Sequence, residues 1–386
     1  MVARATSLNP RLVIWARERS GYSLEDAAAR LDKAAEVLAS WERGESFPTY
    51  NQLEQLAEAV YHRPVALFFL PSPPDEAPIQ RQFRTLPDAE VSTLSPDTRY
   101  ALRDTLAFQE SLRELTGGRN PAARLITSDF HPSVDDDISA LARAVREYLG
   151  VSLDAQQRSA SAEAALNEWR TAVESVGVFV FKRSFRQREV SGFCVHDSVF
   201  PLIVVNNSAP FTRQIFTLFH ELAHLLFGLS SITMDDPEFL SGFSPADRTV
   251  EVACNRFAAE FLVPSDAVPW RLFTADRLTE FVSETAARFR VSREVILRRL
   301  LDRGLVTPAV YTDHVHDWNR EPAREGGGES GGNYYATQAS YLSRAFLGLA
   351  FGQYRAGRIG LADLSEHLRM RARNVGKLED FLLTRR

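Results

Sequence analysis

The sequence predicts an α+β chain, mostly helical, with one small antiparallel sheet in its middle. Three observations carry this. Apolar residues recur at 3–4 spacing over most of the chain, the signature of helices with one buried face. Three short runs, residues 177–183, 189–196 and 200–206, instead read as strands, the last with β-branched Ile203, Val204 and Val205 in a row. A strongly apolar helix pattern follows directly, over 210–227.

Length and composition bound the rest. The chain has 386 residues, 45% hydrophobic and 25% charged. That is the range of soluble globular proteins and room for two or three domains. No apolar run approaches the roughly 18 residues of a membrane helix, and no signal peptide is evident. The two cysteines, Cys194 and Cys254, exclude a cysteine-dense secreted scaffold and fit a reducing cytoplasm. The net charge is −5 but uneven: −1 over residues 1–70, +5 over 331–386, and −9 between. The balance gives no protein-wide nucleic-acid signal, and any basic patch would be local.

Two breaks divide the chain. Residues 71–78 are proline-rich and cannot continue a helix, so they read as a linker. Residues 324–332 are glycine-rich and read as a flexible loop. The expected organisation is a helical domain over 1–70, a linker and helical region over 71–158, the central domain over 159–305, a flexible linker over 306–332 and a helical extension over 333–386.

Helices are expected in the first block at 10–19, 23–31, 33–43 and 49–60. Ser23 and Asp26 mark a capping box at one start, and Gly44 a C-terminal stop. The central block opens with helices over 96–116, 135–149 and 159–176. Short turns between its three strands predict an antiparallel meander. After the apolar helix come helices near 246–262, 276–289 and 293–303. The last block reads as one long helix over 336–356, then 361–368 and 371–382. The long helix is apolar on most sides (Leu342, Phe346, Leu347, Leu349, Phe351), so it is expected to be buried or to form a homodimer. Arg369, Arg371, Arg373 and Lys377 cluster on the final two, which read as a solvated basic face, a helix packed on the central domain, or a second DNA-binding or helix-turn-helix-like element.

The chemistry centres on His220, Glu221 and His224. Histidines four apart on a helix lie one turn above each other and can share one zinc ion. Glu221, one step round, flanks the metal and can take a proton from its bound water. That is a general base in a metallopeptidase arrangement. A third ligand is sought on the helix near 246–262. Glu251 projects along a flank of its buried stripe (Cys254, Ala258, Phe261, Leu262), where an unpaired carboxylate is costly. Asp247, one turn earlier, is the alternative. Glu260 faces away, and Cys254 reads as a buried free thiol rather than a ligand.

These residues carry a resemblance. His220–His224, followed by Glu251-Val-Ala-Cys-Asn-Arg-Phe-Ala-Ala-Glu-Phe-Leu-Val-Pro264, resembles the ImmA/IrrE family of zinc metallopeptidases over roughly 160–305. That family pairs HExxH with a helix of the form E-x-x-x-N-x-F-A-A-x-x-L-x-P. The resemblance implies a zincin-like fold, with His220, His224 and Glu251 as zinc ligands and Glu221 as catalytic base. In zincin-like sites the substrate often pairs with an edge strand; residues 192–196 and 202–205 are both candidates. A second oxyanion donor is open; His196, Tyr311 and His314 qualify by residue type. Asp235, Asp236 and Glu238 read as loop charges.

Residues 10–70 resemble the Xre/Cro-like helix-turn-helix family, which implies a five-helix domain. The match lies in 23–31, in Leu38-Ala-Ser-Trp-Glu-Arg-Gly-Glu45, and in Pro48-Thr-Tyr-Asn-Gln-Leu53 with Leu56-Ala57; the W-E-R-G-E-x-x-P-T run is the distinctive part. Ala27, Ala28 and Leu31 would pack the first motif helix, and Val37, Leu38 and Trp41 would seat the second. DNA contacts would fall on Lys33, Ala34, Ala35, Glu36 and Arg43. One leading cation, two alanines and a carboxylate are a poor set for a strong operator binder, and a protein-interaction module is the rival reading. Residues 80–84 resemble a segment often found between these two modules and read as a docking strand.

Together the resemblances imply a cytoplasmic zinc metallo-endopeptidase joined to a helix-turn-helix domain. Its protein substrate would be a repressor with a helix-turn-helix of its own, cleaved in stress response or mobile-element control. The alternative is a non-enzymatic DNA- or protein-binding transcriptional regulator that uses the peptidase fold as sensor or scaffold.

Overall fold

The computed structural model describes residues 4–76, 93–234, 244–320 and 333–384. Residues 80–84, 235, 236, 238 and 324–332, each given a role above, lie outside them. Described residues up to Asp104 form one compact unit and those from Thr105 onward a second.

The first unit is built from α1 (Pro10–Ser20), α2 (Leu24–Arg30), α3 (Ala35–Glu42) and α4 (Tyr50–Glu54). The last runs on as a π-helical turn over Gln55–Val60, and a 3-10 helix over Val65–Phe69 completes five helical segments. Caps set these ends. Asn9, Ser23 and Thr49 each accept a hydrogen bond from a first-turn amide, satisfying donors the helix cannot. The Ser23 hydroxyl also donates to Asp26. Leu12, Val13, Ala27, Ala28, Leu38, Trp41, Leu53, Leu56 and Phe68 form the core. Val37 does not seat α3 as expected: it is exposed, because Leu38 and Trp41 already fill the buried face.

Helix α5 (Pro96–Thr116) spans the boundary between the units. The second unit continues with α6 (Ile126–Asp129), α7 (Ile138–Leu149), α8 (Leu153–Arg158) and α9 (Ala162–Ser175). Strands β1 (Phe179–Arg183), β2 (Val190–Val195) and β3 (Leu202–Asn206) follow, then α10 (Phe211–Leu226) and β4 (Ser231–Met234). Next come α11 (Pro245–Leu262), α12 (Leu278–Phe289), α13 (Arg293–Asp302) and α14 (Pro308–Arg320). The chain closes with α15 (Tyr334–Tyr341), α16 (Arg344–Arg355), α17 (Leu361–His367) and α18 (Ala372–Thr384).

The α+β class holds, but the sheet is not the expected antiparallel meander. It is mixed and four-stranded, in the order β1-β3-β2-β4. Strands β2 and β3 do form a hairpin, with Phe193 opposite Val204. Its return strand inserts beside β1 and runs parallel to it, with Phe179 opposite Leu202. The most apolar strand thereby takes an inner place, buried on both faces. One face joins the core with α9 and α10 through Val180, Cys194, Ile203 and Val205. On the other, Phe181 stacks on Phe108 of α5 at 4.6 Å and lies 5.6 Å from Phe346 of α16. Among the described residues the edges are β1 and β4, so neither strand proposed above for substrate pairing is an edge.

Two further expectations change. Residues 308–320, placed in the flexible linker, form α14. The long helix over 336–356 is broken at Leu342-Ser343 into α15 and α16. Ser343 restarts the helix by accepting from the Phe346 amide at 3.2 Å. Buried Arg170 of α9 donates to the Ser340 and Leu342 carbonyls, and Glu174 accepts from the Ala345 amide. Arg170 and Glu174, both buried, thus satisfy three of the backbone groups at the break. Leu342, Phe346, Leu347 and Phe351 are covered within the chain.

Candidate metal centre

Helix α10 is buried along nearly its whole length, from Gln214 to Leu226. Its periodicity alone places His220 and His224 one turn apart on one side. Helix α11 packs against it, joined by Phe219 stacked on Phe261 with centroids 4.0 Å apart. This packing delivers Glu251, 5% exposed, to the two imidazoles.

The three side chains converge through single atoms. The Nε2 atoms of His220 and His224 are 3.1 Å apart. Glu251 Oε2 lies 3.3 Å from His220 Nε2, and Glu251 Oε1 lies 3.2 Å from His224 Nε2. Among the described residues this is the one cluster of three or more His, Cys, Asp or Glu donors able to hold a metal ion. Asp247, the alternative ligand, is occupied at the start of α11. Its carboxylate accepts from the Ser244 hydroxyl at 2.6 Å, and its amide donates back to Ser244.

Electrostatics bind the cluster. Burial works against a charged His220, but the hydrogen bond and charge of Glu251 outweigh it and raise the imidazole pKa above its usual value. Burial likewise opposes a charged Glu251, yet hydrogen bonds from both histidines hold its carboxyl well below the usual carboxylate range. Burial pushes the thiols of Cys194 and Cys254 up, so neither is a ready thiolate.

Two sets of partners were not singled out from the sequence. Asn255, one turn after Glu251, places Oδ1 3.1 Å from His220 Nδ1. With Nδ1 protonated and donating to that oxygen, Nε2 is left with its lone pair toward the cluster. The asparagine stands in the E-x-x-x-N pattern, so a signal for it existed. The second set is Ser231 and Thr233 of β4, which donate to Glu221 Oε2 at 2.6 Å and to Oε1 at 2.5 Å. Glu221 is fully buried, and its carboxylate is not part of the cluster of three.

The turn after α10 makes this possible. Gly228 adopts φ +74°, a left-handed conformation costly for other residues, and reverses the chain into β4. The three oxyanion candidates make their contacts elsewhere. The Tyr311 hydroxyl donates to Glu294, the His314 ring lies 5.5 Å from Trp318, and the exposed His196 uses its amide to donate to Ser230.

In the first unit, Lys33 and Ala34 precede α3 in exposed positions, and Ala34 occupies the N-cap. Ala35 and Glu36 open the helix. Arg43, just past its end, donates to Glu36 at 2.7 Å and to Glu45 at 2.8 Å. Its cation is therefore shared between two carboxylates.

Comparison with known families agrees with both resemblances. Residues 173–301 match the model described as the IrrE N-terminal-like domain, a peptidase family. Residues 13–60 match the model described as helix-turn-helix. A comparison with curated proteins gave no match. The first match spans β1 to β4 and both helices of the cluster; the second runs from within α1 to the end of the π-helical turn. The chain thus carries a peptidase-family domain joined to a helix-turn-helix domain. No described helix is long and apolar enough to cross a membrane.

Proposed function

We propose that the chain is a zinc-dependent metallo-endopeptidase. The observation that carries this is the spacing of the three donor atoms. A tetrahedral ion with bonds of about 2.0–2.1 Å sets its ligands about 3.3 Å apart, close to the 3.1, 3.3 and 3.2 Å found here. Two imidazoles and one carboxylate are also the donor set of open catalytic zinc sites, which keep a fourth position for water.

His220, His224 and Glu251 would hold the ion, and Asn255 would fix the His220 tautomer. Zinc supplies Lewis acidity and brings the pKa of water near 7. The remaining work falls to the chain. Glu221 stands beside the cluster without ligating, takes the proton of the attacking water and passes it to the leaving amine. The apolar surround of α10 and α11 excludes bulk water and strengthens these interactions. Strand β4 is the sheet edge next to Glu221, and a peptide pairing there would lie beside the base.

The substrate reading follows from the pairing of domains: a peptidase joined to a helix-turn-helix fits a cytoplasmic regulator that cleaves a transcriptional repressor. The helix-turn-helix match supports DNA as the partner of the first unit. The double pairing of Arg43 favours a second reading, in which that unit binds protein. Gel shifts at low and high salt separate the two, because phosphate binding weakens steeply with salt; no shift at low salt refutes the DNA reading.

The test of the enzyme reading is metal analysis and cleavage with Glu221→Gln. The variant should keep zinc and lose cleavage of a co-expressed repressor. Cleavage by the variant would refute the assignment of the base.

A further inference from the structure

We infer that Ser231 and Thr233 are positioning residues for Glu221, and that Gly192 and Cys194 set them in place. The inference deepens the metallopeptidase reading and rests on it.

Ser231 and Thr233 are two apart on β4, so both side chains point to the same face. They take one carboxylate oxygen each, at 2.6 and 2.5 Å. A glutamate has three rotatable bonds, and two short hydrogen bonds to separate oxygens fix the rotation of the carboxylate as well as its place. The Ser231 hydroxyl is itself held. Ser231 Oγ lies 3.3 Å from Cys194 Sγ, and Cys194 stands opposite Ser231 in the β2–β4 register. Gly192 stands opposite Thr233. A Cβ on Gly192 would lie 2.5 Å from Thr217 Cγ2 and 2.9 Å from the Val204 carbonyl. The missing side chain is what lets α10 lie close on β2 at Thr217. Glu221 is one turn further along the same helix face, so this contact lowers the base onto the β4 hydroxyls.

The arrangement has a consequence for substrate binding. β4 both carries the clamp and forms a sheet edge, so a peptide added to that edge sits at a fixed register to the base. Each carboxylate oxygen keeps a further lone pair for a proton in transit.

The competing explanation is that the hydroxyls only satisfy a buried carboxylate. The test uses the full chain loaded with zinc and acetohydroxamic acid as probe. This chelator loses its hydroxyl proton on binding and needs an acceptor beside the metal. Affinity is measured by calorimetry and zinc content by atomic emission. Ser231→Ala/Thr233→Val keeps shape and removes both hydroxyls. It should retain wild-type zinc and bind the probe at least about tenfold more weakly, the scale of losing an orienting partner. Glu221→Gln should lose a similar factor. The triple variant should bind no more weakly than Glu221→Gln, because the hydroxyls act through that carboxylate. Ser231→Thr/Thr233→Ser, which changes shape but keeps both hydroxyls, should stay near wild type. Wild-type affinity in the double variant, or losses that simply add in the triple, would overturn the proposal. A wild type that holds no zinc, or holds zinc and binds no acetohydroxamate, would instead refute the metallopeptidase reading and this inference with it.

Discussion

Replacing Gly192 with alanine tests how the helix is seated on the sheet. The added Cβ would meet Thr217 Cγ2 at 2.5 Å and the Val204 carbonyl oxygen at 2.9 Å. Non-bonded carbons settle at about 3.5–4.0 Å, so the first contact must open by about 1–1.5 Å. The second neighbour is main chain in an inner strand and cannot retreat alone. Overpacking of this kind costs about 1–3 kcal/mol. Glycine-to-alanine also stabilises through the unfolded chain by about 0.4–1 kcal/mol. The balance is a loss centred on about 1.3 kcal/mol, or roughly 3–5 °C in melting temperature for a unit of this size. The zinc-loaded protein, followed by circular dichroism, is the assay. Thr217→Ser added to Gly192→Ala removes Cγ2 but leaves the Val204 contact, so it should recover part of the loss. An unchanged or higher melting temperature for Gly192→Ala would refute the reasoning, as would a double variant no better than the single.

The remaining predictions concern the metal cluster. The wild type should retain roughly one zinc per chain through dialysis and Glu251→Ala should lose it; full retention by the variant would remove Glu251 from the proposed ligand set. Asn255→Ala should weaken zinc binding by about 10–100-fold in a chelator competition, the usual cost of losing an orienting partner. Affinity equal to wild type would mean that packing alone orients His220. The metal-free protein should also show a pH signature. The folded pKa of His220 is raised above 6.5, so its pairing stabilises fully below pH 6.5 and fades as pH rises through the raised value. Glu251 is lowered from 4.5, so its contribution is present above pH 4.5 and fades as pH falls through the lowered value. The pair therefore stabilises the metal-free protein most between pH 4.5 and 6.5. Zinc needs neutral imidazoles, so its own stabilisation should grow as pH rises above that window. Melting temperatures that do not change between pH 5 and about 8 without metal would contradict the pairing.

What could be read from the sequence follows the range of the interactions involved. His220, Glu221 and His224 sit on one helix, and a 3.6-residue period alone fixes which of them share a side. Glu251 needed a second helix; periodicity left Asp247 open, the family pattern favoured Glu251, and the structure pairs Asp247 with the Ser244 N-cap instead. The three strands were found because each is apolar enough to be buried on both faces, but their order was not. Short connections are compatible with a meander and with a hairpin inserted beside β1. The difference is a pairing preference spread over β1 and β3 that no single residue announces. β4 was missed for the opposite reason. Its four residues, Ser-Ile-Thr-Met, are short and half polar, as an edge strand is. Yet the register of that strand decides where the Ser231 and Thr233 hydroxyls go: a slip by one residue would turn both away from Glu221. The two candidate histidine ligands were thus legible through local periodicity, while the groups that hold Glu221 depend on strand order, register and one close approach at Gly192. The last of these is the most exposed to a single substitution, because one methyl group there acts on the helix that carries both ligands and base.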